Sequence, residues 1–156
     1  MVHVRKKTGL TLVEMLVVVA IVAILATIVL NVAGHIDTQS KQRAMEASFA
    51  LLDGALEQYY DYWGAYPDPN KPHTPPYPSR SAALYDQLYS TPQSRDVLEE
   101  LSESLIRDNV DNLPEITDPW GTVLDYRYEP VDTFPTIISG GPDKNLVTVG
   151  DNMTNK

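Results

Sequence analysis

Glu14 is the only acidic residue before Asp37, and no Asp, Glu, Lys or Arg occurs between the two. A carboxylate at the head of so long an apolar run is costly to place at bilayer depth unless another group meets it. The expected partner is a second copy of the same chain. Other residue types that do chemistry are scattered or missing. There is no cysteine, and His3, His35 and His73 fall in a basic head, a helix and a proline-rich stretch. No glycine-rich phosphate loop is present, and the many carboxylates are not placed as pairs, so no constellation for nucleophilic or acid–base catalysis can be assembled. The expectation is a protein that is not an enzyme.

The residues around Glu14 are set by what carries them. From Leu10 to Leu30 the chain is Leu, Val, Ile and Ala apart from Thr11, Glu14, Met15 and Thr27. At about 1.5 Å of rise per residue, a helix over this run reaches about 30 Å, the thickness of a hydrocarbon core. The sequence therefore predicts a membrane-spanning helix. Arg5, Lys6 and Lys7 lie on its amino side, and the bias of positive charge towards the cytoplasm puts the amino terminus inside and the chain beyond about Gly34 outside. A secretory signal would have a shorter apolar core, of about 7 to 15 residues, followed by a small-residue cleavage site. Here the well-placed small residue, Gly9, precedes the core.

Basic residues, then Gly9, Leu10 and T-L-V-E at Thr11 to Glu14, then an uninterrupted apolar helix, resemble the prepilin signal of type IV pilins and type II secretion pseudopilins. The resemblance implies a leader over residues 1–9, cut after Gly9 by a prepilin peptidase, and a Leu10 that is N-methylated once exposed. The first mature residue of that family is most often Phe, and Leu10 is a tolerated departure. After cleavage an ammonium at Leu10 would lie four residues, one helical turn, from Glu14. In a filament the ammonium of one subunit could then pair with Glu14 of its neighbour. Unpaired, the same groups would penalise a wrong register.

The remaining chain suits a small anchored head. It has 156 residues and a net charge of −9, and the three basic side chains of the leader make the rest more acidic still. Such a balance argues against nucleic acid, which requires a basic footprint. Without cysteine the head must be held by packing or by a metal. Ala44, Ala47, Leu51, Leu52, Ala55, Leu56, Tyr59 and Trp63 recur at helical spacing, predicting one long helix from about Thr11 to Tyr62. Gly34 could bend or melt it locally, and Gly64 with Pro67 should end it. Prolines 67, 69, 72, 75, 76 and 78 predict an irregular surface loop over 67–80. Helices are expected at Ser81 to Tyr89 and Gln93 to Asp108. D-P-W-G at Asp118 to Gly121 reads as a tight turn, and alternation predicts strands at Val123–Tyr128, Thr136–Ser139 and Leu146–Val149. The fold class is α+β, a long amino-terminal helix on an antiparallel sheet of about three strands. The expected division is 1–9, 10–34 and 35–156, the last holding an amphipathic helix at 35–63, helices over 81–108 and a sheet over 122–150.

Ala55, Leu56, Tyr59, Gly64, Tyr66 and Pro67, with D-P-W-G, a Y-x-Y strand and S-G-G-P-D, resemble the head of type II secretion major pseudopilins. In those proteins the loop after the S-x-G element binds calcium. The resemblance implies a candidate calcium set of Ser139, Asp143, Asn145 and Asp151, with Asn152 beside it, although this loop is shorter than is typical and reads equally as an Asx-type turn. The implied role is a pseudopilus subunit in the inner membrane with a periplasmic head, meeting prepilin peptidase, minor pseudopilins and the inner-membrane secretion platform. Two alternatives stay open: a type IV pilin of an adhesion, motility or DNA-uptake fibre, and a monomeric membrane-anchored binding module.

Overall fold

A computed structural model describes residues 11–71, 76–109, 112–148 and 150–156, without the side chains of 28–35. The chain divides into two units, 1–39 and 40–156. Helix α1, Leu12–Trp63, contributes to both. In the first unit its described side chains from Leu12 to Leu25 are exposed. Among the described residues no helix is long and apolar enough to cross a membrane; the expected span, 10–30, lies partly outside them.

Helix α1 follows the predicted limits closely, and Gly34 and Gly54 both lie within it, so neither melts it. It ends as expected. Gly64 takes φ +73, a left-handed value that costs glycine nothing, and its N–H donates to the Tyr60 carbonyl at 2.7 Å. The buried stripe in the second unit differs from the predicted one. Met45, Phe49, Leu52, Ala55 and Leu56 are buried, whereas Ala44 and Ala47 are exposed and Trp63 is 60% exposed. Met45 and Phe49 remove far more apolar surface from water than two alanines could, and they rotate the inward face towards themselves.

Helix α2, Arg80–Ser90, is capped by Ser79, whose hydroxyl accepts from the Ala82 N–H at 3.1 Å. Its Ala82, Ala83, Leu84 and Leu88 are buried, and it packs on strands β2 and β3 defined below. Helix α3, Pro92–Leu98, starts on a proline, which suits a position with no intrahelical N–H to give. It corrects the expected helix 93–108. The chain leaves helix after Leu98, makes a 3-10 turn at Glu103–Leu105, and enters strand β1, Ile106–Asp108, paired antiparallel with β2, Pro114–Ile116. Leu101, Leu105 and Ile116 are buried in that arrangement, so the apolar positions that suggested a longer helix are used by a turn and a hairpin.

The second sheet is β3, Asp125–Arg127, beside β4, Thr136–Ser139, beside β5, Met153–Thr154, all antiparallel. Two of the three predicted strands are here. The third falls later than expected: residues 146–148 form turn and irregular chain, Val149 lies outside the described residues, and Val147 is 85% exposed. Asn145 accounts for this, since its side-chain oxygen accepts from the Val147 N–H at 3.0 Å and so diverts the backbone from a ladder. Tyr126 is fully buried at the centre with Leu52, Leu56, Leu84, Leu88 and Ile137, and its hydroxyl donates to the Pro67 carbonyl at 2.9 Å.

Candidate functional site

Three groups of residues bear on function. The first is the head of α1. The Thr11 N–H and hydroxyl both donate to Glu14 Oε2, at 2.8 and 2.9 Å, and the Glu14 N–H donates back to the Thr11 hydroxyl at 3.2 Å. This is a capping box, in which the residue before the helix and the third residue inside it satisfy each other's free donors. T-L-V-E is the S/T-x-x-E pattern of such a box, so the residues that invite a neighbour's charge also cap the helix. Gly9 and Leu10 lie outside the described residues. Among the described residues Glu14 Oε1 accepts no hydrogen bond, and the carboxylate is exposed beside Val13, Val17 and Val18. One oxygen orients the group; the other faces outward.

The second is the carboxy-terminal loop with the candidate calcium residues. Asp143 and Asp151 come together, because the Asp143 N–H donates to Asp151 Oδ2 at 3.0 Å. Asp143 accepts in turn from the Asn145 N–H at 2.8 Å and from the Thr148 hydroxyl. Gly141 has φ +65 and packs so closely on the Asp151 carbonyl that a Cβ there could not be accommodated. Asn152 Oδ1 is buried with no partner among the described residues, while its Nδ2 donates to the Leu146 carbonyl at 3.3 Å. Ser139 is placed differently. It is fully buried, donates to Asp118 Oδ2 at 2.7 Å and accepts from the Gly141 N–H at 3.1 Å.

Asp118 itself was missed as anything beyond a turn residue. It is 2% exposed, and its Oδ1 accepts from the Trp120 and Thr122 N–H groups at 3.0 and 2.8 Å. The D-P-W-G turn forms as predicted, with the Gly121 N–H on the Asp118 carbonyl at 2.9 Å. Its carboxylate then ties that turn to the end of β4. Among the described residues no three His, Cys, Asp or Glu side chains cluster as a metal would require. A hard cation in the loop would therefore rely on Asp143 and Asp151, the Asn152 amide oxygen and main-chain carbonyls, a donor set of oxygens that suits calcium rather than zinc.

The third group is aromatic. Tyr66 lies edge-on to Tyr128 and to Phe134, both at 5.3 Å between ring centres, and 4.7 Å from Tyr60. Burial first, then the neighbouring Tyr60 and the carboxylate of Glu57, hold the Tyr66 hydroxyl above its ordinary pKa. Trp63 donates its ring N–H to the Thr91 hydroxyl at 2.9 Å while most of its indole stays in water. Tyr66 and Tyr128 are half-buried against the core. Tyr62 and Trp63 are 53% and 60% exposed. His73 lies outside the described residues.

Residues 4–30 match the family described as the prokaryotic N-terminal methylation motif. That motif is the prepilin-type signal of pilins and pseudopilins, a structural signal and not an enzymatic one. No curated protein and no solved structure is significantly similar to the chain.

Proposed function

We propose that this chain, which carries the prepilin-type signal at its head, is a structural subunit of a periplasmic pseudopilus that drives type II protein secretion. The match of residues 4–30 to the methylation motif carries the pilin-like part of the proposal, and the D-P-W-G, Y-x-Y and S-G-G-P-D elements of the head favour a pseudopilus in particular. Its steps follow from the residues. Hydrolysis of the Gly9–Leu10 bond at the cytoplasmic face of the inner membrane adds water, leaving a carboxylate on Gly9, an amine on Leu10 and a proton that goes to solvent. The unprotonated amine then takes the methyl group of a sulfonium donor, which leaves as the thioether, and the methylated nitrogen is an ammonium at neutral pH. The apolar helix keeps the subunit in the bilayer as a single-pass protein with its head in the periplasm. Thr11 holds one oxygen of Glu14 at the start of α1, so the carboxylate is already aimed when the Leu10 ammonium of a neighbour arrives. Subunits pulled from the membrane by the secretion platform stack through these helices, and the growing filament pushes substrate outward. Calcium held by Asp143, Asp151 and the Asn152 amide is a further part of the proposal, fastening the loop that follows β4.

Mass spectrometry of the protein extracted from membranes tests the first step: the expected chain begins at N-methylated Leu10. A mature protein that keeps Met1 and the basic head would overturn the proposal. Glu14→Ala should still be inserted and cut but should fail to assemble. Normal filaments and secretion in that variant would remove the role assigned to the carboxylate.

A further inference from the structure

We propose that the groove beside the Tyr66–Tyr128 pair receives a positively charged side chain, and that in the filament Arg43 of a second copy fills it. This rests on the polymerising role proposed above. The groove encloses about 320 Å³ and is walled by Tyr66, Asp68, Tyr128 and Glu129, with Pro69 and Pro130 at its ends. Tyr60 and Phe134 extend the ring cluster around Tyr66. The carboxylates of Glu57 and Asp61 act on the same tyrosine, and among the described residues no Lys or Arg lines the groove. Aromatic faces attract cations through their quadrupole, and carboxylates at the rim add attraction of the same sign. A planar guanidinium suits such walls better than a compact ammonium, because it can stack as well as pair.

A guanidinium being the better fit, the occupant follows from what the other arginines of the described residues do, alongside Lys71 and Lys156. Lys71 pairs with Asp86, Arg80 and Arg127 with Asp125, and Arg107 lies beside Glu115. Arg95 sits over the Tyr89 ring, and Lys156 donates to the Phe134 carbonyl. Arg43 is exposed on α1 and, among the described residues, forms no ion pair. It cannot reach the groove of its own chain. Arg43 and Tyr60 stand on one helix, and the 17 positions between them amount to about 25 Å of rise, several times the reach of an arginine. The contact must therefore join two copies, through different surfaces on each. A head-to-tail contact of this kind propagates into an open filament instead of closing a dimer.

The chain has no cysteine, so introduced ones report contacts without background. The test uses full-length protein in membranes carrying the platform, with Ala47→Cys and Asn70→Cys together, Ala47 being exposed one helical turn from Arg43, which is kept, and Asn70 lining the groove. A separate variant, Leu16→Cys, reports polymerisation through the helices. The expected result is a ladder of disulfide-linked multimers from the paired variant. Arg43→Glu should lower filament yield about tenfold, and adding Glu129→Arg should restore it. If Leu16→Cys cross-links while the 47/70 pair does not, the groove proposal is overturned and the filament stands. If neither cross-links, the polymerising role itself fails. Cross-linking of Asn70→Cys to Lys144→Cys in place of position 47 names a different occupant and overturns the assignment to Arg43, as would full filament yield from Arg43→Glu.

Discussion

Replacing Asp118 by Ala should be the most damaging single change to the head outside its apolar core. The carboxylate is 2% exposed and accepts three hydrogen bonds, from the Trp120 and Thr122 N–H groups and the Ser139 hydroxyl. A bond to a charged group contributes about 1.5–3 kcal/mol, and removing an acceptor strands each buried donor. The three do not add fully, because the substitution also removes the cost of burying a charge. A net loss of about 3–5 kcal/mol is expected, which is a large share of the roughly 5–15 kcal/mol that holds a domain of this size. The melting temperature should fall by about 10–20 °C. Ser139→Ala removes one of the bonds and should cost about 1–3 kcal/mol. If Asp118 acts as a tie between the turn and β4, the double variant will be less damaged than the sum of the singles, by about 0.5–3 kcal/mol. Thermal melts of the full chain in detergent, followed by circular dichroism, measure all four species. A fall of less than about 2 °C in Asp118→Ala, or strict additivity in the cycle, would refute the reasoning.

Thr11→Ala should leave the proposed cleavage after Gly9 intact but slow assembly, because Glu14 loses the Thr11 hydroxyl, one of the two donors that orient it, and keeps only the backbone N–H; pulse–chase labelling of multimers measures the rate, and an unchanged rate counts against a positioning role of the hydroxyl. Asp53 gives a pH dependence of defined sign. Burial holds its carboxyl above the ordinary value, against the opposing hydrogen bond from Asn155 at 2.6 Å. The native state therefore binds the proton more tightly than the unfolded chain, and stability must fall as pH rises from the ordinary carboxylate range, about 4, through the raised value. Asp53→Asn should remove that slope, so the difference in melting temperature between wild type and variant should shift against wild type as pH rises. A shift in its favour contradicts the sign. Chelation of divalent ions should lower the melting temperature of the full chain if calcium fastens the carboxy-terminal loop, and Asp151→Ala should abolish the response; an identical melt in chelator and in added calcium dismisses the ion.

Local chemistry made much of this protein legible in its residues. The limits of α1 follow from T-L-V-E at one end and Gly64 with Pro67 at the other, signals that act within a turn or two of backbone. The same holds for α2 behind its Ser79 cap and for the D-P-W-G turn. Glu14 could be singled out because an isolated carboxylate in an apolar run is conspicuous at any level of structure. Periodicity misled where it was short or where competing side chains decided the backbone. The strands β1 and β2 have three residues each, too few to alternate legibly, and the Asn145 side chain turned an apolar stretch into a loop.

What tertiary structure alone decided is which distant residues meet. Helical spacing admits several inward faces, and only packing chose Met45 and Phe49 over Ala44 and Ala47. Ser139 was drawn to Asp118, 21 positions away, instead of to the loop carboxylates. Tyr66 meets Tyr128 because a helix end and a strand end share one edge of the head. Caps and turns are settled by neighbours in the chain, whereas contacts between remote side chains exist only once burial has paid the entropy of closing the long loops between them.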